Sequence, residues 1–377
     1  MKVTKSHSRL GWLLIAGLFA LSTAYPQQYF SPGLQSLDTP SDPRSIAMGE
    51  SFVAVRSTSA MMYNPAGLAG LHGASFSFAR RNLNHLDPLS LKYITFTGTL
   101  ETPFANFGLL YNRFIQGEVV VTSASSPDGT LGTVSLADYI LGVTAARALT
   151  DGLDAGLTVK TFRFVAKVVS GNPPIASSNT PVLFDLGLVY SHTAPLVNAP
   201  GTYTISLGTS LQNFGTDFKP MASGQQQSVS NDIVNLPRYL RAGVAFSMNI
   251  LPDREGDLVP FALLVTGEYR NFLNGPVDGQ RSFWGFGGEV TLFEFVSGRI
   301  GEYIQPYQSI YGTRGDPSLR YGVGMALPLA RFGIESPLII LIDYGVIPLN
   351  TRLPYFFVPN GTLHVFSIGL QYENQIF

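Results

Sequence analysis

The stretch His364-Val365-Phe366-Ser367-Ile368-Gly369-Leu370-Gln371-Tyr372 alternates apolar residues with small or polar ones. Phe366, Ile368, Leu370 and Tyr372 fall on one face, and Val365, Ser367, Gly369 and Gln371 on the other. That period of two specifies a strand. With Phe377 closing the chain, the segment reads as the last strand of a transmembrane β-barrel, with Tyr372 and Phe377 the candidate signal for barrel assembly machinery. An ordinary soluble strand has the same period, so the rest of the chain must decide.

Four further stretches repeat the pattern. Residues 202–212 set Tyr203, Ile205, Leu207 and Leu211 against Thr204, Ser206, Gly208, Ser210 and Gln212. Residues 240–248 set Ala242, Val244, Phe246 and Met248 against Arg241, Gly243, Ala245 and Ser247. Residues 281–292 set Trp284, Phe286, Gly288, Val290 and Leu292 against Gly287, Glu289 and Thr291. Residues 318–327 set Tyr321, Val323, Met325 and Leu327 against Arg320, Gly322, Gly324 and Ala326. A side chain touching hydrocarbon must be apolar, because a charge near the bilayer middle costs about 2–4 kcal/mol on a barrel surface. Glycine and small polar residues suit a crowded or wet lumen.

Further strands are expected near 73–80, 89–101, 104–122, 133–149, 153–169, 181–193, 258–271, 296–306 and 337–347, giving about fourteen. An even number fits a single-chain bacterial barrel. Many of these runs exceed the ~5–6 residues usual in soluble strands and suffice for a tilted span of ~9–11. Turns are expected at 127–129, 150–152, 171–174, 252–257 and 314–317, where Gly, Pro, Asp and Asn cluster. The fold class is therefore all-β, a transmembrane antiparallel β-barrel. A secreted sandwich or propeller is the alternative, but charge is scarce and no blade-length repeat occurs.

Composition agrees. Charged residues make up 13% against a usual ~25%, with 12% aromatic and 39 Gly. Residues 1–24 read as a cleavable signal peptide: Lys2, Lys5 and Arg9, then apolar residues 11–21, then Ser22-Thr23-Ala24. The apolar run falls short of the ~20 residues of a membrane helix. Without those 24 residues acids exceed bases by four, so nothing favours nucleic acid. The absence of Cys excludes disulfides, Cys-ligated metal and thiol nucleophiles. Residues 25–72, with Pro26, Pro32, Pro40, Pro43 and Pro65, lack alternation and read as irregular with a short helix or strand.

Arg44-Ser45-Ile46-Ala47-Met48-Gly49-Glu50-Ser51-Phe52-Val53-Ala54-Val55, followed by Asn64-Pro65-Ala66-Gly67-Leu68, resembles the opening of outer-membrane proteins of the FadL superfamily, and more closely its PorV/PorQ branch. Leu211-Gln212-Asn213-Phe214-Gly215, residues 236–245 and Ser367-Ile368-Gly369-Leu370-Gln371-Tyr372 are similar to later family motifs. The chain departs at Phe214, where the family favours Leu, and at Glu50, where a second Gly is frequent. The resemblance implies a FadL-like barrel of fourteen strands with residues 25–72 folded inside as a plug and 73–377 as the barrel. It implies no cofactor. It makes Arg44, Met48, Gly49, Asn64, Pro65, Ala66 and Gly67 the plug motif. Within a plug, Pro65 keeps Asn64 out of a helix, the Asn64 side chain closes a turn, and Gly67 tolerates positive φ; a plain surface turn is the simpler alternative.

Lys160, Asp185, Arg241, Glu268, Glu289, Arg299, Arg320 and Asp343 lie in spanning stretches. Alternation points most of them into the lumen, to pair with each other or the plug, and Arg44 is expected to meet one of the acids. No Gly-x-Ser-x-Gly, His-x-x-x-His or phosphate-loop pattern occurs, so catalysis is not expected. The PorV/PorQ resemblance implies a protein-secretion role at the bacterial outer membrane, with type IX secretion-system components and cargo proteins as partners. The FadL side implies instead passive uptake of a hydrophobic small molecule. For uptake, loops 217–221 and 353–359 would form an apolar pocket.

Overall fold

A computed structural model describes residues 36–37, 41–82, 92–123, 126–171, 175–197, 199–216, 218, 220–223, 236–250, 259–273, 282–309, 312–349 and 361–372. Phe377, residues 1–24 and residues 353–359 lie outside that set.

Fourteen strands carry the fold. In chain order they begin with β1 (Ala74–Asn82), β2 (Lys92–Leu100), β3 (Asn106–Ser123), β4 (Ser126–Thr150) and β5 (Leu153–Gly171). After the short β6 (Ile175–Ser178) come β7 (Val182–Pro195) and β8 (Gly201–Gly215). After the short β9 (Pro220–Ser223) come β10 (Tyr239–Ile250), β11 (Phe261–Phe272) and β12 (Ser282–Leu292). The last are β13 (Val296–Ser309), β14 (Gly312–Pro328), β15 (Leu338–Leu349) and β16 (Gly361–Tyr372). Each long strand pairs antiparallel with its neighbours, β1 pairs β16, and β4–β5 closes the ring. β6 and β9 pair with each other and join β5 through the bridge Val165 to Ser177 and through Phe164 N–H, which donates to Ser178 Oγ at 2.9 Å. All fourteen expected strands are present.

The two faces decide between barrel and soluble sandwich. On β7, Val182, Phe184, Leu186, Leu188 and Tyr190 are exposed while Asp185 between them is 0% exposed. This is the reverse of a water-soluble strand. The same reversal places Tyr321, Val323 and Met325 of β14 outside and Arg320 inside, and Phe366, Ile368 and Leu370 of β16 outside and Ser367 inside. A continuous apolar exterior of this kind far exceeds the few hundred Å² that soluble monomers tolerate. It belongs against lipid.

Two expected turns are corrected. Residues 127–129 lie within β4 and 314–317 within β14. Residues 314–317 are paired by β13, Gly315 to Pro306, whereas 127–129 fall in a register shift between Ser126, opposite Ser123, and Thr130, opposite Thr122. In the β14 overhang ladder pairing outweighs local turn preference. Asp151 and Gly152 do form the expected turn, and Gly171 ends β5.

The strand ends show polarity. Where β1 starts and β16 ends, connections such as 101–105, 151–152 and 293–295 are short. At the other end β1 and β2 are separated in sequence by residues 83–91, β8 and β10 by 216–238, and β15 and β16 by 350–360.

Candidate functional site

Residues 41–72 run through the lumen. Asp42 accepts Ser45 N–H at 2.8 Å and caps the short helix α1 (Pro43–Ala47), with Pro43 at its first turn. Gly49 and Glu50, at φ 66° and 59°, reverse the chain after α1. Glycine would hold the left-handed position of Glu50 at less cost. Here the Glu50 carboxylate is engaged by Arg320 of β14, with Arg270 of β11 at 3.9 Å.

The plug motif and the lumen charges meet. Arg44 forks onto Glu289 of β12 at 2.6 and 2.8 Å. Glu289 also takes Arg299 of β13 at 2.5 Å, and Arg299 reaches Asp343 of β15. Glu268 of β11 accepts the N–H groups of Phe52 and Val53, each at 2.8 Å, on one oxygen. Its other oxygen takes Arg241 of β10 at 2.6 Å. Arg241 donates to Gln212 at 2.7 Å, and Gln212 donates to Met62 O at 3.0 Å. Across the lumen Arg56 binds Asp154 of β5 at 2.6 Å. Lys160 and Asp185 pair at 2.6 Å and join β5 to β7 rather than to the plug. Asp185 also accepts Asn213 N–H at 2.7 Å across a bulge, where Asn213 is left-handed at φ 62°.

Asn64 is fully used. Its Nδ2 donates to Val53 O (2.7 Å) and Leu188 O (3.0 Å), and its Oδ1 accepts Ala66 N–H (3.1 Å) to cap the 3₁₀ turn Pro65–Leu68. Gly67 corrects the expectation: its φ is not positive. A Cβ there would instead sit 2.6 Å from Ala60 Cβ and 2.7 Å from Val55 O. Met48 is wholly buried and packs with Phe52, Val55 and Tyr63.

Lumen-facing glycines form the seat. A Cβ on Gly156 of β5 would lie 2.4 Å from Ala66 N, one on Gly208 of β8 2.2 Å from Val53 O, and one on Gly301 of β13 2.3 Å from Gly49 N. Only a bare backbone lets the plug lie this close to the wall. Sequence reasoning placed small residues inward but did not find Glu50, Arg56, Asp154 or Arg270. They sit far apart in sequence, and no local pattern links them.

The lumen is two-sided. The walls of β10 to β15 carry most of the arginines and acids above. The walls of β3, β4, β5 and β7 carry an apolar column: Leu110, Ile140, Phe162 and Leu183, packed on plug residues Met61 and Leu68 and capped by Phe218 and Leu236 from the 216–238 connection. Phe162 and Phe218 meet edge-on at 5.5 Å. Of the loop residues expected to form a pocket, Phe218 is thus placed in this column. At plug level a void lined by Glu50, Arg241, Glu268 and Arg270 measures about 10 Å³, the size of one water.

Closure, lipid-facing belt and seated N-terminal segment define the class: a plugged transmembrane β-barrel. No protein-family profile matches the chain, and no curated protein does. Similar solved structures include the toluene transporter TodX of Pseudomonas putida, at 10% identity and TM-score 0.43, covering 87% of this chain and 96% of that one. The CymD monoaromatic hydrocarbon channel is 12% identical at TM-score 0.42, covering 88% and 97%. A Pseudomonas aeruginosa FadL homologue gives the same four values.

Proposed function

We propose that this chain is a non-enzymatic barrel of FadL type in the bacterial outer membrane, exported through a signal peptide at 1–24, that admits a hydrophobic small molecule by passive diffusion. The observation that carries this is the apolar column, which runs from the long-connection end down to the plug. Burying about 150–250 Å² of an aromatic solute there is worth about 4–6 kcal/mol. That is enough to draw the solute from water yet leave it exchangeable. Since the column is packed, entry requires Phe218 and Leu236 to move aside.

The secretion role of a PorV/PorQ-type barrel is the second reading. It is favoured by the plug itself, tied to both halves of the wall by ion pairs, as suits a scaffold that engages cargo without conducting. The apolar column ranks it below uptake. A deletion strain separates the two. Uptake predicts lost growth on a hydrophobic carbon source with normal secretion, restored by the wild-type gene but not by Phe162→Asp. Normal growth with failed secretion of exported cargo would reverse the order.

A further inference from the structure

The outer surface carries one feature that uptake does not use. Arg80 of β1 pairs with Ile94 of β2, Ile94 with Arg113 of β3, Arg113 with Tyr139 of β4, and Tyr139 with Arg163 of β5. Directly opposed residues share a face. Their chain neighbours Tyr93, Phe114, Ile140 and Phe162 are buried inward, so this row faces outward. Arginine recurs on every second strand, about 10 Å apart, with no acid in the row. Lys92 lies on the same face, two residues beyond Ile94. The Arg113 guanidinium lies 5.5 Å from the Tyr139 ring centre, and its Nε is buried with no partner among the described residues.

The row crosses β1 to β5 on the long-connection side of an exposed apolar band. Arg80 stands six residues above the start of β1 and Arg163 ten above the start of β5. Below them Phe76, Leu109, Leu141 and Leu157 are exposed, and beyond them the overhangs of β3, β4 and β5 expose Val120, Leu131 and Val169. Past β1 the same row continues through Phe366 of β16, Tyr344 of β15 and Val323 of β14, so this is not a uniform basic girdle. A guanidinium facing lipid is tolerated where headgroups begin, at about 0–1 kcal/mol against ~2–4 at the midplane. There its planar fork matches phosphate oxygens.

We propose that this flank holds the phosphate groups of a phosphorylated glycolipid of the outer leaflet, whose acyl chains lie on the apolar belt below. The inference rests on the outer-membrane reading. Its test folds the full chain into phosphatidylcholine vesicles containing diphosphoryl lipid A or dephosphorylated lipid A, and measures lipid A retained per barrel after mild detergent extraction. Wild type is expected to retain the diphosphoryl form selectively. Arg113→Gln and Arg163→Gln should each lower retention about fivefold, while both variants keep heat-modifiable migration. Arg147→Gln, at the other end of β4, should change nothing. Equal retention of both lipids, equal retention by the variants, or displacement by equimolar inorganic phosphate overturns the proposal alone. Failure of the wild-type chain to enter vesicles overturns it together with the membrane reading.

Discussion

Substituting alanine at single glycines distinguishes a seated plug from a loosely enclosed one. At Gly156 a Cβ would fall 2.4 Å from both Ala66 N and Pro65 C, and at Gly301 2.3 Å from Gly49 N and 2.4 Å from Met48 C. These are backbone atoms, so no side-chain rotation relieves the clash. The plug must withdraw by about 1 Å, and overpacking of this kind costs about 1–3 kcal/mol. The ladder that closes the ring is untouched, so the cost falls on plug seating. A shift of 1–3 kcal/mol raises the unseated population about 5–150-fold. Protease cleavage within 41–72 tracks that population when reclosing is fast. The controls are Gly288 and Gly298, outward-facing positions where a Cβ would meet nothing within 4 Å. Their alanine variants should be cleaved at the wild-type rate. If inward and outward variants are cut equally fast, with heat-modifiable migration retained in all, the seat described here is wrong.

Arg44→Glu places an acid against Glu289; with breaking a buried pair worth about 3–5 kcal/mol, cleavage of the plug should accelerate at least tenfold, and an unchanged rate would count against the pairing. Glu268→Gln weakens acceptance of the Phe52 and Val53 N–H groups and strands Arg241; lowered heat resistance of the folded band is expected, and Glu268→Asp should restore little because the carboxylate no longer reaches. At the short-turn end, Glu101 accepts Gly73 N–H at 2.7 Å and contacts His72 at 3.2 Å, bonds that hold its carboxyl below the ordinary glutamate range. A depressed carboxyl stabilises above its unfolded value of ~4.3 and loses that contribution as pH falls below it, so cleavage near residue 73 should rise on acidification below pH ~4, and Glu101→Gln should remove that dependence.

Much of the barrel was legible because lipid imposes a strict rule. Side chains that touch hydrocarbon must be apolar, so Ile205, Leu207, Val244, Trp284 and Val323 announce their face in one dimension. The same rule turned Arg241, Glu268, Glu289 and Arg320 inward, and Arg44 was expected to meet an acid there. What stayed hidden was three-dimensional. Arg56 finds Asp154 across 98 positions of sequence, and Glu50 finds Arg320 across 270. Glycines that seat the plug look in sequence like glycines that merely face a lumen. The overhanging parts of β4 and β14 were misread as turns because, past the belt, neither lipid nor core enforces alternation. The two short strands β6 and β9 carry too few residues to show any period.

The central claim is that the alternating stretches present one face to hydrocarbon and the other to a filled lumen. The chain has no cysteine, so single cysteines can be introduced along β14 and labelled with a fluorophore in vesicles whose acyl chains bear a quencher. Strong quenching is expected at positions 321, 323 and 325 and little at 320, 322 and 324. Equal quenching at odd and even positions, or none at any, would contradict the account.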